Sequence, residues 1–307
     1  YRAGDLESRY TRLAIEEDCL VNYGFLPREH LALMHPREAR QPWDADTRRK
    51  AADVLAFVRE RGPVHPREVE QHFAHGSVKN YWGGSSNATT RLLDGLHYRG
   101  MLRVVRRDSG TRVYEAVTHA AADESPAGRA QRAAALIDLV VRKYAPLPAA
   151  SLTYLVRLLG YGAPHLSAQT QAALRLAREE LASCRIDGTT WYWPAGENPA
   201  SRRHAPDDEV RLLAPFDPVV WDRRRFELLW GWTYKFEAYT PAPQRRFGYY
   251  ALPLLWHDRV IGWANVTAPE GRLQPSFGYV GRKPRDAAFS AALDDELQRM
   301  TQFLARR

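Results

Sequence analysis

Between Asp46 and Val117 the sequence sets three helix-like runs before a pair of alternating runs, and that order leaves few folds open. The first run, DTRRKAADVLAFVRERG, puts Ala51, Val54, Leu55 and Val58 on one helical face, and Gly62-Pro63 ends it. The second, HPREVEQHF, has Pro66 at its first helical position, where the missing N–H has no helical partner to lose. The third, SSNATTRLLDGLHYRG, opens on Ser and Asn, turns Leu92, Leu93 and Leu96 to one side and stops at Gly100. MLRVVRRDSGTRVYEAV then alternates on both sides of Asp108-Ser109-Gly110, the pattern and turn chemistry of a β-hairpin. Three helices followed by a hairpin is the order of a winged helix-turn-helix, here over residues 46–120.

The order returns, more loosely, after the linker AADESPAGR. GRAQRAAALIDLVVRKYAP, PAASLTYLVRLLG and SAQTQAALRLAREELA read as helices, and CRIDGTTWYWPAG as a compact hairpin around Asp187-Gly188, which predicts a second winged helix over 128–196. The repeat is one of pattern and not of residues. Ahead of both, residues 1–45 read as a helical or irregular lead-in, in which NYGFLPREHLALMHPR looks packed. Residues 205–307 change character, because seven of the nine Trp lie between Trp191 and Trp263. There YALPLLWHDRVIGWANV predicts two strands, RLQPSFGYV a third, and DAAFSAALDDELQRMTQFLARR a closing helix. The expected fold class is α+β: tandem winged helix-turn-helix modules followed by a β-rich, mixed α/β C-terminal module.

Charge bears on the partner. The net charge is +8, and 39 of the 44 basic residues are Arg, whose guanidinium grips phosphate with two parallel hydrogen bonds. That points to nucleic acid, although an Ala- and Arg-rich proteome gives the same composition, so the placement of the arginines has to decide. No apolar run approaches the roughly 20 residues needed to span a membrane, and the opening YRAGDLESRY is too polar for a signal peptide. The chain starts on Tyr1 and not Met, so a segment upstream of it is expected. Cys19 and Cys184 stand far apart, which argues against a zinc site or disulfide framework and fits a reducing cytoplasm. His65, His72 and His75 lack a third ligand at metal spacing and read as surface residues. Without GxGxxG, a Walker loop, GxSxG or HExxH, nucleotide chemistry and the usual hydrolase nucleophiles are unsupported.

Two regions gather candidate site residues. From Ser86 to Val113, Arg91, Arg99, Arg103, Arg106, Arg107 and Arg112 face only Asp94 and Asp108. A third helix carrying Arg91 and a wing carrying Arg103, Arg106, Arg107 and Arg112 suit phosphate contact; the alternative is a solvated wing. NYWGGSSNATT, just before that helix, reads either as a phosphate seat or as a plain cap. In the C-terminal module, APFDPVVWDRRR places Asp217 among prolines and Asp222 before Arg223, Arg224 and Arg225. Asp217 is a candidate catalytic carboxylate, with a turn or capping role favoured over it, and Asp222 suits a helix start. Arg245 and Arg246, with Tyr239, Thr240 and Tyr249 nearby, would hold a backbone and an unstacked base. The competing reading has the Trp residues in a core and the arginines paired with Asp222, Glu227 and Glu237.

NYGFLPREHLALMHPR, RGPVHPREVEQHF, APFDPVVWDRRRFELLWGW and FEAYTPAPQRRFGYYALPLLWHDRVIGW, with the first helix and wing, resemble the YcaQ/AlkZ family of winged-helix DNA glycosylases, nearest its YcaQ-like branch. The resemblance implies hydrolysis of the N-glycosidic bond of N7-alkylated purines, including interstrand crosslinks, in double-stranded DNA by a monomer without metal or cofactor. It also implies that residues 1–45 belong to a truncated N-terminal winged-helix module. The catalytic Gln-x-Gln or Gln-x-Asp pair it implies is expected upstream of Tyr1. Gln41-Pro42-Trp43 does not fit it, and Gln169-Thr170-Gln171 falls on a helix of the second module. The alternative function is a winged-helix DNA-binding protein or transcription regulator without chemistry.

Overall fold

Local capping signals set where the helices begin. In the computed structural model, which describes residues 5–79 and 85–305, α1 (Asp5–Arg9) leads to strands β1 (Ile15–Cys19) and β2 (Tyr23–Pro27). Helix α2 (Ala45–Arg61) starts where the Asp44 carboxylate accepts the Thr47 N–H at 2.7 Å. Helix α3 (Pro66–Phe73) has a reciprocal cap, His65 accepting from Arg67 N while Glu68 accepts from His65 N. Strands β3 (Ser77–Lys79) and β4 (Ser85–Asn87) precede α4 (Ala88–Tyr98), which Asn87 caps through Thr90 N. Strands β5 (Leu102–Asp108) and β6 (Thr111–Ala116) form the anticipated hairpin. Val54, Val58, Val69, Leu93, Leu96, Leu102, Val104 and Tyr114 fill one core between them.

Next come α5 (Pro126–Tyr144), β7 (Leu147–Pro148), α6 (Ala149–Gly162), α7 (Ser167–Glu180), β8 (Ala182–Ile186) and β9 (Thr189–Trp193). The C-terminal region comprises β10 (Val210–Leu212), α8 (Pro218–Trp221), α9 (Arg223–Trp230), β11 (Leu252–Trp256), β12 (Arg259–Thr267), β13 (Gln274–Tyr279) and α10 (Ala287–Ala305). The chain is thus mixed α/β. Two compact units result: Leu6–Val140 with Thr153–Glu180, and Tyr1–Asp5 with Val141–Leu152 and Leu181–Arg307. They are called the first and second unit below.

In the second unit, β10-β11-β12-β13 is an antiparallel sheet, and β7-β9-β8 a smaller one. Phe289 and Leu293 of α10 pack with Val210 and Leu254, and Glu296 accepts the Leu212 N–H at 2.9 Å. A second core joins Val220, Phe226, Tyr234, Phe247 and Val260, with Trp230, Trp232 and Trp263 against it, so these tryptophans are structural. The short strand β10 carries no alternating signal of its own in the sequence.

The lead-in is where structure and sequence pattern part. Residues 15–27 form an antiparallel hairpin and not a helical or irregular segment. IEEDC disguises a buried strand, because Glu16, Glu17 and Asp18 are 4%, 2% and 4% exposed although charged and consecutive. No period-two alternation survives in such a run, and only partners supplied from elsewhere make its burial possible.

Candidate active-site cavity and nucleic-acid surfaces

The three acids of β1 organise the first unit. Asp18 takes the Cys19 N–H at 2.6 Å and Arg37 Nη2 at 3.0 Å on one oxygen, and His35 Nε2 lies 2.5 Å from the other. Burial by itself raises its pKa, but the His35 hydrogen bond and the Arg37 charge outweigh burial and bring it to about 2. Glu17 accepts from Arg107 Nε at 2.8 Å, Arg107 Nη2 at 2.6 Å and the Tyr23 hydroxyl at 3.0 Å. Against the cost of burial, these donors hold its carboxyl below the ordinary range. Glu16 meets Arg28 at 2.9 Å and Arg103 at 3.6 Å. All three line a cavity of about 320 Å³ with His35, His97 and His119. The His35 and His119 rings stack at 4.4 Å, and His35 Nδ1 and His119 Nε2 are buried without a hydrogen-bond partner. Burial first, then the neighbouring His35, lower the His119 pKa. Gly100 (φ +75°) closes the wall, since a Cβ there would collide with the His35 ring. The oxygens of Glu17 and Asp18 are already answered by internal donors, so both acids act on the shape and charge of this cavity.

The arginines of the β5–β6 hairpin are the other half of that arrangement. Arg107 and Arg112 pair with Glu17 at 2.6 and 3.7 Å, and Arg112 also meets Asp94 at 3.0 Å and lies 4.3 Å over Tyr23. Arg103 lies between Glu16 and Glu115. Arg106 pairs with Asp108 at 3.0 Å, both half exposed, an interaction worth little in water. Counting acids only between Ser86 and Val113 overstated the positive charge, because the neutralising carboxylates come from β1. Arg91 is exposed on α4.

The outward face of α4 is partly covered. Trp43 lies against Gly95, and Arg99 sits 3.7 Å over the Trp43 ring while donating to the Gln41 and Gly95 carbonyls. The Tyr98 hydroxyl donates to the Tyr161 carbonyl at 2.8 Å. A groove of about 770 Å³ beside this face is lined by Arg40, Lys50, Arg91 and Arg99 among others. Of NYWGGSSNATT, residues 80–84 lie outside the described residues, and Asn87 is the α4 cap. His65 caps α3, His72 stacks on Phe57 at 4.5 Å, and His75 bonds Thr89 at 3.1 Å. Among the described residues no group of three His, Cys, Asp or Glu converges as a metal site. No helix among them is long and apolar enough to cross a membrane.

In the second unit, APFDPVVWDRRR is tied down from within. Asp217 caps α8 by accepting the Val219 N–H at 2.8 Å, and Asp222 caps α9 by accepting the Arg225 N–H at 3.1 Å. Arg223 donates to the Val220 and Pro215 carbonyls and lies 4.4 Å over Tyr234. Arg225, 4% exposed, donates to the Tyr144 and Pro218 carbonyls. Burial lowers both guanidinium pKa values. Of the three arginines expected at DNA, only Arg224 projects into solvent. Among the described residues the competing pairing with Glu227 and Glu237 is not formed: Glu227 accepts from Thr233, and Glu237 accepts the Phe247 and Gly248 N–H groups.

The loop after Glu237 is built outward. Tyr239 is 94% and Tyr249 60% exposed. Arg245 Nε donates to the Thr240 carbonyl at 2.7 Å, which sets its guanidinium 5.0 Å over the Tyr249 ring. Arg246 is exposed beside Phe247. Among the described residues no carboxylate pairs with Arg224, Arg245 or Arg246. Phe216, Phe236 and Tyr250 join this face without having been singled out, although Phe216 stands inside the stretch that marked the region.

The family model described as DNA glycosylase AlkZ-like matches residues 1–303. No solved structure matches the chain.

Proposed function

The chain belongs to the AlkZ-like DNA glycosylase family, and from that premise we propose that it releases N7-alkylated purines from double-stranded DNA, including purines that tie two strands together. The match over 1–303 carries this reading. The tandem helix–hairpin pattern, read as winged helices, would cradle the duplex. Arg91, Arg106, Arg224 and Arg246, which are exposed, and Arg245, which is half-buried, are the arginines we assign to phosphates.

Alkylation at N7 places a positive charge on the purine, so the base leaves as a neutral molecule and needs little acid catalysis. The C1′–N9 bond breaks with its electron pair going to the base. Water adds to the oxocarbenium-like C1′, and its proton passes to solvent or a nearby base. The protein's part is to exclude bulk water, place the attacking one and stabilise the sugar's charge. Asp217 is occupied as a helix cap, so we do not assign that role to it.

The rival reading, a transcription regulator, needs a helix face open to the major groove. Trp43 and Tyr161 contact α4 at Gly95 and Tyr98, and its first turns stay exposed, so the family match and not this face favours the glycosylase reading. The test incubates protein from the complete open reading frame with duplexes carrying 7-methylguanine or a nitrogen-mustard crosslink. Free alkylated base and an abasic site are expected. Tight sequence-specific binding with no base release would overturn the proposal.

A further inference from the structure

The exposed loop of the second unit combines three properties. Its rings are numerous: half-buried Phe236 is the hub, with Phe216, Tyr239 and Tyr250 set around it at 5.2, 6.2 and 5.2 Å, all edge to face. The outer rings are exposed, Tyr239 most of all, which leaves most of its surface open to a ligand. Its base is rigid. The buried Glu237 carboxylate gathers the Phe247 and Gly248 N–H groups, and Asn265 Nδ2 donates to the Phe247 carbonyl at 2.7 Å. Gly248 (φ +120°) leaves no room for a Cβ beside Asn265. Its exposed side carries Arg245 and Arg246, with which no carboxylate pairs among the described residues.

We propose that this face is a site for unpaired nucleotides, with bases stacked on Tyr239 and on the side of Tyr249 away from Arg245, and flanking phosphates held by Arg245 and Arg246. Flat rings offer every base a partner irrespective of sequence, and the arginines complement the backbone that joins those bases. Base pairs within a duplex present no such open faces, so the occupant is a single-stranded or extrahelical stretch. The proposal rests on the DNA reading above for the identity of the polymer.

Binding is measured by fluorescence anisotropy with three undamaged labelled probes: an oligothymidine strand, an all-abasic strand of equal length, and a duplex. No base release is involved, so failure here is separable from failure of the glycosylase activity. The intact protein should prefer oligothymidine to the abasic strand. Tyr239→Ala with Tyr249→Ala should weaken oligothymidine binding by about tenfold or more and erase that preference, whereas the Tyr→Phe pair should keep it. Arg245→Gln with Arg246→Gln should instead flatten the salt dependence on both strands, by about 0.7 in logarithmic slope for each phosphate lost. Because Tyr239 and Tyr249 are exposed, an unchanged thermal melt is expected and is checked. Equal binding of abasic and oligothymidine strands, undiminished binding by the double Tyr→Ala variant, or binding of duplex alone would overturn the proposal. A face serving another protein would show itself as one of these results.

Discussion

Asp18→Asn tests the hub of the first unit. The carboxylate serves the Cys19 N–H, His35 and Arg37, and Arg37 is itself 4% exposed, so an uncharged replacement leaves a buried guanidinium without its counter-charge. A carboxyl held at about 2 against an ordinary 3.8 favours the folded state by about 2 kcal/mol at neutral pH. Because the folded pKa is the depressed one, that stability is complete above the unfolded pKa and is lost as pH falls through the folded value. Wild type and variant should therefore differ fully above about pH 5 and converge near pH 2. Global melting mixes two units, so the readout is amide hydrogen exchange over residues 15–27, followed by mass spectrometry. About 2 kcal/mol less local stability predicts exchange roughly thirtyfold faster at pH 7, with the gap closing in acid. Equal exchange at pH 7, or a gap that persists at pH 2, would refute the charge argument.

Two comparisons separate structural from exposed arginines. Arg225→Ala strands the Tyr144 and Pro218 carbonyls and should cost about 3 kcal/mol in urea unfolding, whereas Arg224→Ala should stay within about 0.5 kcal/mol and weaken DNA binding instead. In the β5–β6 hairpin, Arg106→Ala should lower the slope of log affinity against log salt by about 0.9 without changing stability. Arg107→Ala should mainly destabilise, because it leaves Glu17 buried with fewer donors, and that loss should be largest above the ordinary carboxylate pKa and fade in acid.

What the sequence made legible was local. Asn87, Asp217 and Asp222 each announce a helix start within three residues of the N–H they accept, and Asp108-Ser109-Gly110 and Asp187-Gly188 announce their turns. What stayed hidden depends on distant partners. Strand β1 looks like a polar loop until Arg37, Arg107 and Arg112 are brought to its acids. The same distance hides the charge balance of the β5–β6 hairpin: its own segment offers Arg107 and Arg112 only Asp94 and Asp108, yet Glu17 meets both. Arg223 and Arg225 were misjudged for another reason, since charge counting looks for carboxylates and these side chains bind carbonyls.

That last point changes how the arginine bias is read. Arg37 donates to the Gly162, Tyr98 and Cys19 carbonyls as well as to Asp18. Arg99 donates to two carbonyls while stacked on Trp43, and Arg223 to two while stacked on Tyr234. A planar fork with five donors collects several acceptors at fixed angles and offers a face to a ring at the same time, which the point charge of lysine does not do. A preponderance of 39 Arg among 44 basic residues therefore answers in part to internal bracing. The arginines left for phosphate are fewer than composition implied, and in the second unit they stand beside exposed tyrosines. Affinity for DNA should accordingly depend on that unit's loop more than on the β5–β6 hairpin, where Arg103, Arg107 and Arg112 already meet Glu16 and Glu17.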